Sequence, residues 1–387
     1  MGGLSLIYFD NAATSYPKPE SVYDEIDRVM RYCGNPGRGS HRLAIESGKH
    51  ILEARQELCQ LFNINDPMRV IFTLNTTDSL NIALKGILNE GDHVITSSME
   101  HNSMIRPLIA LRDSNYIDLT IVKCDQKGNI DVDDVRKAIK KNTKLIAMIH
   151  ASNVTGTLMP IREIGSIARE MGIYFLVDAA QTAGSYPIDV EEDNIDLLAF
   201  PGHKSLFGPQ GTGGLYVRDK IKLKTIKEGG TGSNSENIHQ PDMMPDMLES
   251  GTPNTPGIAG LKEGVKYIRS IGVENILKHE RKLTKRFIDG VKDIPNLILY
   301  GNNDEERRVG VISINIKGID SGEVSYILDK AFDIATRSGL HCSSLAHQTI
   351  GTLKTGTVRF GIGYFNTEDE VDKAVDALYT IAKQALS

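Results

Sequence analysis

Between about residues 69 and 218, short apolar runs alternate with stretches of helical spacing. Residues 70–73, 94–96, 117–122, 145–149, 173–177, 197–200 and 215–217 read as strands. Residues 160–171 read as a helix entered by Pro160 and left by Gly172. After Thr76-Thr77, the residues Leu80, Ala83, Leu84, Ile87 and Leu88 fall on one helical face. Strands alternating with helices predict an α/β fold: a mainly parallel sheet of seven strands, covered on both faces. Such sheets take ligands beyond the C-terminal ends of their strands. Residues 229–256 break the pattern and predict a long functional loop. Beyond it, helices near 258–271, 273–292, 321–331 and 367–385, with strands near 297–300 and 309–316, predict a smaller α+β unit.

The length, 387 residues, is more than one compact core holds. The expected division is a large domain over 15–257 and a small C-terminal domain over 258–387, with residues 1–14 packing at their junction. A net charge of −6 gives no reason to expect nucleic acid or an anionic membrane as partner. No run of eighteen apolar residues suggests a membrane span. Met1 to Ile7 lacks the basic flank of a secretion signal, and Leu6 stands where a myristoylation motif wants Ser or Thr. Cys33, Cys59, Cys124 and Cys342 are spaced too irregularly for a metal knuckle or a disulfide framework, so no metal is expected and a reducing cytoplasm is the expected setting.

The chemistry concentrates at two strand ends. Lys204 lies in Phe200-Pro201-Gly202-His203-Lys204, ahead of the glycine-rich 208–214, and Asp178, within Val177-Asp178-Ala179-Ala180-Gln181, ends a neighbouring apolar strand. A lysine can form a Schiff base with pyridoxal phosphate (PLP), and an acid can keep the pyridine nitrogen protonated so that the ring accepts electrons. Thr76 and Thr77 at a helix start are either caps or phosphate ligands. Taken alone, His101 is a loop histidine and Arg359 a strand arginine that would pair with a surface acid.

Ordered motifs settle these choices by resemblance. They run from Tyr8-Phe9-Asp10-Asn11-Ala12-Ala13-Thr14 through Asn75-Thr76-Thr77, Glu100-His101-Asn102 and Ser152-Asn153-Val154-Thr155-Gly156. They continue through Asp178 to Gln181, Gly202-His203-Lys204, Gly251 to Thr255, and Val358-Arg359-Phe360. In these the chain resembles the class V aminotransferase family of fold-type I PLP enzymes, in its cysteine desulfurase and selenocysteine lyase branch. The resemblance implies that Lys204 carries the cofactor and that Thr76, Thr77 and His203 hold its phosphate. It implies that His101 lies over the ring, that Asp178 meets the pyridine nitrogen, and that Gln181 donates to the ring oxygen. Thr252 would reach the phosphate of the other subunit in a homodimer with shared sites. Arg359, with Asn153 as companion, and Arg337 would bind the substrate, L-cysteine.

Cys342 bears on the reaction. In the desulfurases a cysteine follows an Arg-x-Gly-x-His segment like Arg337-Ser338-Gly339-Leu340-His341 and attacks the substrate sulfur. A thiolate is both a strong nucleophile and a persulfide carrier. The short span from Cys342 to Arg359 resembles the branch with a compact, fixed cysteine loop. One departure is Pro201, which stands where many desulfurases have a phosphate-binding serine and offers neither hydroxyl nor N–H. The expected activity is conversion of L-cysteine to L-alanine, with sulfur held as persulfide and passed to an acceptor protein. A selenocysteine lyase, an aminotransferase or epimerase of the same family, and a PLP-holding sulfur-relay scaffold remain as alternatives.

Overall fold

The computed structural model describes residues 6–36, 39–233 and 236–384. Residues 1–5, on which much of the leader reading rests, lie outside these, as do Asn234 and Ser235 of the predicted loop. The chain opens with strand β1 (Ile7–Tyr8) and helices α1 (Glu20–Tyr32) and α2 (Arg42–Phe62). Strands and helices then alternate: β2 (Val70–Thr73), α3 (Thr76–Ile87), β3 (Asp92–Ser97), α4 (Asn102–Asp113), β4 (Ile117–Val122) and α5 (Val132–Lys137). They continue as β5 (Thr143–Ile149), α6 (Ile161–Met171), β6 (Tyr174–Asp178), β7 (Leu197–Pro201) and β8 (Gly213–Val217). The rest comprises α7 (Thr255–Ile271), α8 (Val273–Val291), β9 (Leu297–Tyr300), β10 (Val311–Ile316) and α9 (Ser321–Phe332). It ends with β11 (Ile334–Ala335), β12 (Arg337–Gly339), α10 (Ser344–Thr349), β13 (Thr357–Gly361) and α11 (Glu368–Gln384).

The seven strands β2 to β8 form one sheet in the order β2-β8-β7-β6-β5-β3-β4. Only β8 runs against its neighbours β2 and β7; the other pairs are parallel. Side chains alternate between the two faces along each strand. Leu176, Leu197, Ala199 and Leu215 pack with α3 and α4 through Leu80, Leu84, Met104 and Leu108. Phe175, Val177, Leu198 and Phe200 face the other way, towards α2, α6 and α7 through Leu58, Phe62, Ile164 and Leu261. Two-sided burial is why these strands appear as short continuous apolar runs.

A second sheet, β12-β13-β10-β9, is antiparallel. It carries a separate core with α8, α9 and α11, built on Ile312, Ile314, Val358, Phe360, Phe287, Leu328 and Leu378. Helix α7 packs in the first core through Leu261, Val265 and Ile268, although it follows residue 257 over most of its length.

Residues 7–15 bind the two sheets together. β1 pairs with β11, Asp10 bridges to Gly361, and the hydroxyl of Thr14 donates to the His203 carbonyl at 3.0 Å. The loop after β5 makes the reverse contact. Gly156 lies at φ 73°, and a Cβ there would stand 2.4 Å from the Val311 carbonyl oxygen, so only glycine lets β5's loop meet β10. No helix among the described residues is long and apolar enough to cross a membrane.

Candidate active site

Parallel pairing brings the C-terminal ends of β3, β5, β6 and β7 to one edge of the large sheet. Beyond that edge lies a cavity of about 140 Å³. Lys204, His203, Asp178 and Gln181 line it, as do Thr76, Thr77, His101, Asn153 and Pro201. Residues scattered over more than a hundred positions thus share one small space.

Each is held locally. The cap of α3 is Asn75, whose Oδ1 accepts from the Asp78 amide at 3.0 Å, so Thr76 and Thr77 are not caps but the helix's first turn. First-turn amides have no intrahelical acceptor and favour an anion. The Thr77 hydroxyl lies 2.7 Å from that of Ser103. His101 caps α4: its Nδ1 accepts from the Ser103 amide at 3.1 Å, which places the hydrogen of the neutral ring on Nε2. Burial, followed by the nearby Lys204 and Arg359, pushes His101 down to about 3, so it is neutral at ordinary pH. The carbonyl of His203 accepts from Thr14, Ser15 and Lys18, while its Nδ1 is buried without a partner.

Asp178 is buried and accepts from the Ala180 amide at 2.9 Å. Burial raises it to about 6, the amide bond and Lys204 opposing. Burial lowers Lys204 to about 8, assisted by Arg359 and opposed by Asp178. Gln181 Nε2 donates to the Ala12 carbonyl at 3.1 Å. Behind Asp178 stands Glu100, whose role sequence reasoning missed although the Glu-His pair was visible. It is fully buried, and its Oε1 accepts from Ser97 Oγ at 2.5 Å and from the Ile149 amide at 3.1 Å. Its Oε2 has no partner, and burial pushes its carboxyl up to about 8.

The second sheet supplies the remaining groups. Arg359 on β13 is 1% exposed; its Nη2 donates to Asp10 Oδ1 at 2.9 Å and its Nη1 to the Asn153 carbonyl at 3.2 Å. Asp10 is the other residue whose role went unread. Arg337 lies opposite Arg359 in the β12–β13 register, with its Nη2 3.9 Å from Cys342 Sγ. Cys342 is exposed on the turn between β12 and α10. His341 and Cys342 are both left-handed, at φ 48° and 58°, a geometry costing a non-glycine residue about 1–2 kcal/mol. Cys342 borders a second hollow of about 580 Å³ with Lys85 and Arg106. Thr77, His101 and Ser103 line both hollows, so the thiol adjoins the Lys204 cavity without lying in it.

Two further residues sit apart from the Lys204 cavity: Thr252, assigned above to the phosphate of the other subunit, and His347 on α10. Thr252 is exposed and borders a different hollow, beside Thr73 and Gly211. His347 bonds Thr352 at 2.7 Å, and among the described residues no group of His, Cys, Asp or Glu is placed to hold a metal.

Comparison with known proteins shows the family. The family model for class V aminotransferases matches residues 7–374. A probable cysteine desulfurase of Methanothermobacter thermautotrophicus is 34% identical over 97% of this chain and 94% of its own. One from Pyrococcus abyssi is 35% identical over 99% and 96%. The apo structure of the cysteine desulfurase from Thermococcus onnurineus NA1 superposes with a TM-score of 0.89 at 33% identity, covering 98% of this chain and 95% of that one. With a match that spans both sheets and every strand end at the cavity, this chain belongs to the class V aminotransferase family.

Proposed function

We propose that this protein is a PLP-dependent cysteine desulfurase that moves the sulfur of L-cysteine onto Cys342 and leaves L-alanine. The observation that carries the reading is Cys342: an exposed thiol beside Arg337, in a hollow that shares His101 with the Lys204 cavity. Transamination or epimerisation needs the lysine and the acid but no such thiol. Family membership implies PLP, and the donor set fits it. There is a lysine, a buried acid, an unpartnered buried His203 Nδ1 and the first turn of α3, all on one cavity.

When bound, PLP supplies an electron sink for the pair left on the substrate's α-carbon. Lys204 anchors the cofactor and, once displaced by the substrate amine, takes the α-proton. Its lowered pKa of about 8 brings the neutral amine within reach near neutrality. Asp178, anionic above about 6, is assigned the pyridine nitrogen. Thr76, Thr77 and His203 are assigned the phosphate, and Gln181 the ring oxygen. Thr252, exposed outside its own chain's cavity, serves the partner subunit's phosphate in a homodimer. Arg359 takes the substrate carboxylate in place of Asp10, in the forked geometry that suits it. Arg337 places a second cation beside the reacting sulfurs.

The Cys342 thiolate attacks the substrate sulfur. An S–S bond forms, the carbon–sulfur bond breaks, and its electron pair passes to the β-carbon. The proton shed by Cys342 ends on that carbon, and Lys204 returns the α-proton. His101 borders both hollows and is the proton carrier between them. The products are L-alanine and a Cys342 persulfide, whose outer sulfur passes to an acceptor protein or thiol.

The test is incubation of the PLP-loaded protein with L-cysteine and excess dithiothreitol. Alanine and sulfide should appear in equal amounts. A keto acid or D-cysteine without sulfide would sink the reading. Turnover of selenocysteine with L-cysteine untouched would move it to a selenocysteine lyase.

A further inference from the structure

We infer that Lys18 supplies the positive charge that a phosphate needs at the His203 end of the Lys204 cavity, given the PLP assignment proposed above and independent of the desulfurase reaction. A phosphate group carries about −1.5 to −2 charges near neutrality. The residues assigned to it are Thr76, Thr77, His203 and Thr252 of the partner subunit, and none of these brings a full charge. Burial, followed by Lys204 and Lys18, pushes His203 down to about 4, so its ring is neutral at ordinary pH. The first turn of α3 adds about half a charge. Among the described residues Lys204 is the one cation lining the cavity, and it is committed to the other end of the cofactor. Pro201, also on the wall, offers no donor. Neutral donors orient a phosphate but leave most of its charge uncompensated, and a buried charge without a counterion is destabilising.

Lys18 is the mirror of that deficit. It is half-buried, and its Nζ donates to the Ser15 carbonyl at 3.2 Å, the Ser15 hydroxyl at 3.0 Å and the His203 carbonyl at 3.1 Å. All three acceptors are neutral. Among the described residues no carboxylate pairs with it, and burial alone lowers it to about 8. His203 stands between the two halves: its carbonyl touches Lys18 and its side chain borders the cavity. The local geometry does not depend on the ammonium. The His203 carbonyl also accepts from the Thr14 hydroxyl at 3.0 Å and the Ser15 amide at 3.1 Å. The Lys204 carbonyl accepts from Ser15 Oγ at 2.9 Å and from the Phe207 amide at 2.8 Å. A neutral donor would fill the place of Lys18 as well, so its charge is what needs a reason. The phosphate beyond His203 gives one.

Two ligands offered to one variant separate charge from support. Lys18→Met keeps most of the stem and removes the ammonium. The affinity of the cofactor-free protein for PLP should fall about tenfold, the scale of one charge acting on a dianion across a residue's width in a partly screened setting. Affinity for pyridoxal, which has the same ring and aldehyde but no phosphate, should stay within about twofold. Lys18→Arg, which keeps the charge, should bring PLP affinity back to within about twofold of wild type. Equal losses for PLP and pyridoxal would make Lys18 a support of the strand end and overturn the proposal, as would unchanged PLP affinity in Lys18→Met. If Lys18→Met does not fold, Lys18→Gln, which can still donate to His203, carries the same comparison with the same outcomes. A wild-type protein that binds neither ligand would defeat the PLP assignment, and this inference with it, before any variant is compared.

Discussion

Lys204 stands at the end of a sheet, whereas Cys342 rides on a turn. Around Lys204 the restraints are many and shared between backbone and side chains: the Thr14 and Ser15 hydroxyls and the Lys18 ammonium donate to the His203 and Lys204 carbonyls. Gly202 N–H donates to the Thr212 carbonyl at 2.8 Å, Phe207 N–H to the Lys204 carbonyl at 2.8 Å, and Gly208 N–H to the Gly202 carbonyl at 2.7 Å. No single side chain there carries the geometry. Around Cys342 the restraints include two side-chain bonds from Asn153 and a strained pair of residues. The cofactor end of the site is built into the fold, while the nucleophile end is fastened on afterwards. Substitutions near Lys204 should thus alter chemistry without altering shape, and substitutions near Cys342 should alter both.

The sharpest way to break this comparison is Lys204→Ala. Losing the covalent anchor and the base together should cut sulfide release about 10⁴-fold, the upper range for acid–base groups. The melting temperature of the cofactor-free protein should barely move. A large destabilisation would show that Lys204 supports the strand end and is not merely displayed by it.

Cys342→Ala comes next. Sulfide release should drop on the order of 10³-fold, since the nucleophile is lost while the electron sink stays. PLP content, read by absorbance after gel filtration, should match wild type. Lost PLP would mean that the two ends are not separately built.

The third prediction probes the rigid end through Glu100. Its folded pKa of about 8 lies above the ordinary 4.5, so folding takes up a proton between these values. The stability associated with its protonated form is present below about 4.5 and lost as pH rises through about 8. Glu100→Gln keeps an acceptor for Ser97 and Ile149 without that ionisation. Urea unfolding at about pH 6.5 and about pH 9 should show a shallower fall for the variant, by a few kcal/mol. Some slope should persist, because Glu280, also pushed up to about 8 by burial, titrates in the same window. Equal slopes would remove Glu100 from the account.

The smallest effect is expected at Pro201, which lines the cavity. Pro201→Ser adds a hydroxyl near a doubly charged phosphate. A bond to a charged group contributes about 1.5–3 kcal/mol, against about 0.4–1 kcal/mol for the lost rigidity. PLP loss on dialysis should slow a few-fold. Equal or faster loss would mean that the phosphate donors are already complete.

What could be read from the chain follows the same division. The seven sheet strands were legible because each is buried on both faces and so appears as an apolar run bounded by turns. Lys204 and Asp178 were legible because they end such runs. Helices α1 and α2 are not legible in the apolar pattern. Where α1 and α2 meet α7 the contact is partly ionic: Lys262, 3% exposed, bonds Glu25, Glu53 and His50, each at 3.1 Å. A buried charge cluster looks like surface in a hydropathy pattern. β12, with three residues, and α10, with six, are too short to show a period. The bonds from Asn153 to His341 and Ser343, on either side of Cys342, span 188 and 190 residues, and no local pattern announces them. Asp10 was visible in its motif, but its pairing with Arg359 spans 349 residues.

The segment over residues 7–15 has a consequence in time rather than in space. Asn11 leaves the ribosome 350 residues ahead of its partner Gly361, and Ile7 likewise precedes its partner in β11. At about 5–20 residues per second, roughly 20–70 s pass between their syntheses. Throughout that interval Phe9 and Ile7, buried in the finished protein, have no second sheet to enter. The carbonyl of His203 accepts from Thr14 and Ser15 once this segment is seated. Residues 7–15 are made well before the second sheet and seated only with it, so the neighbourhood of Lys204 is completed after that sheet is made.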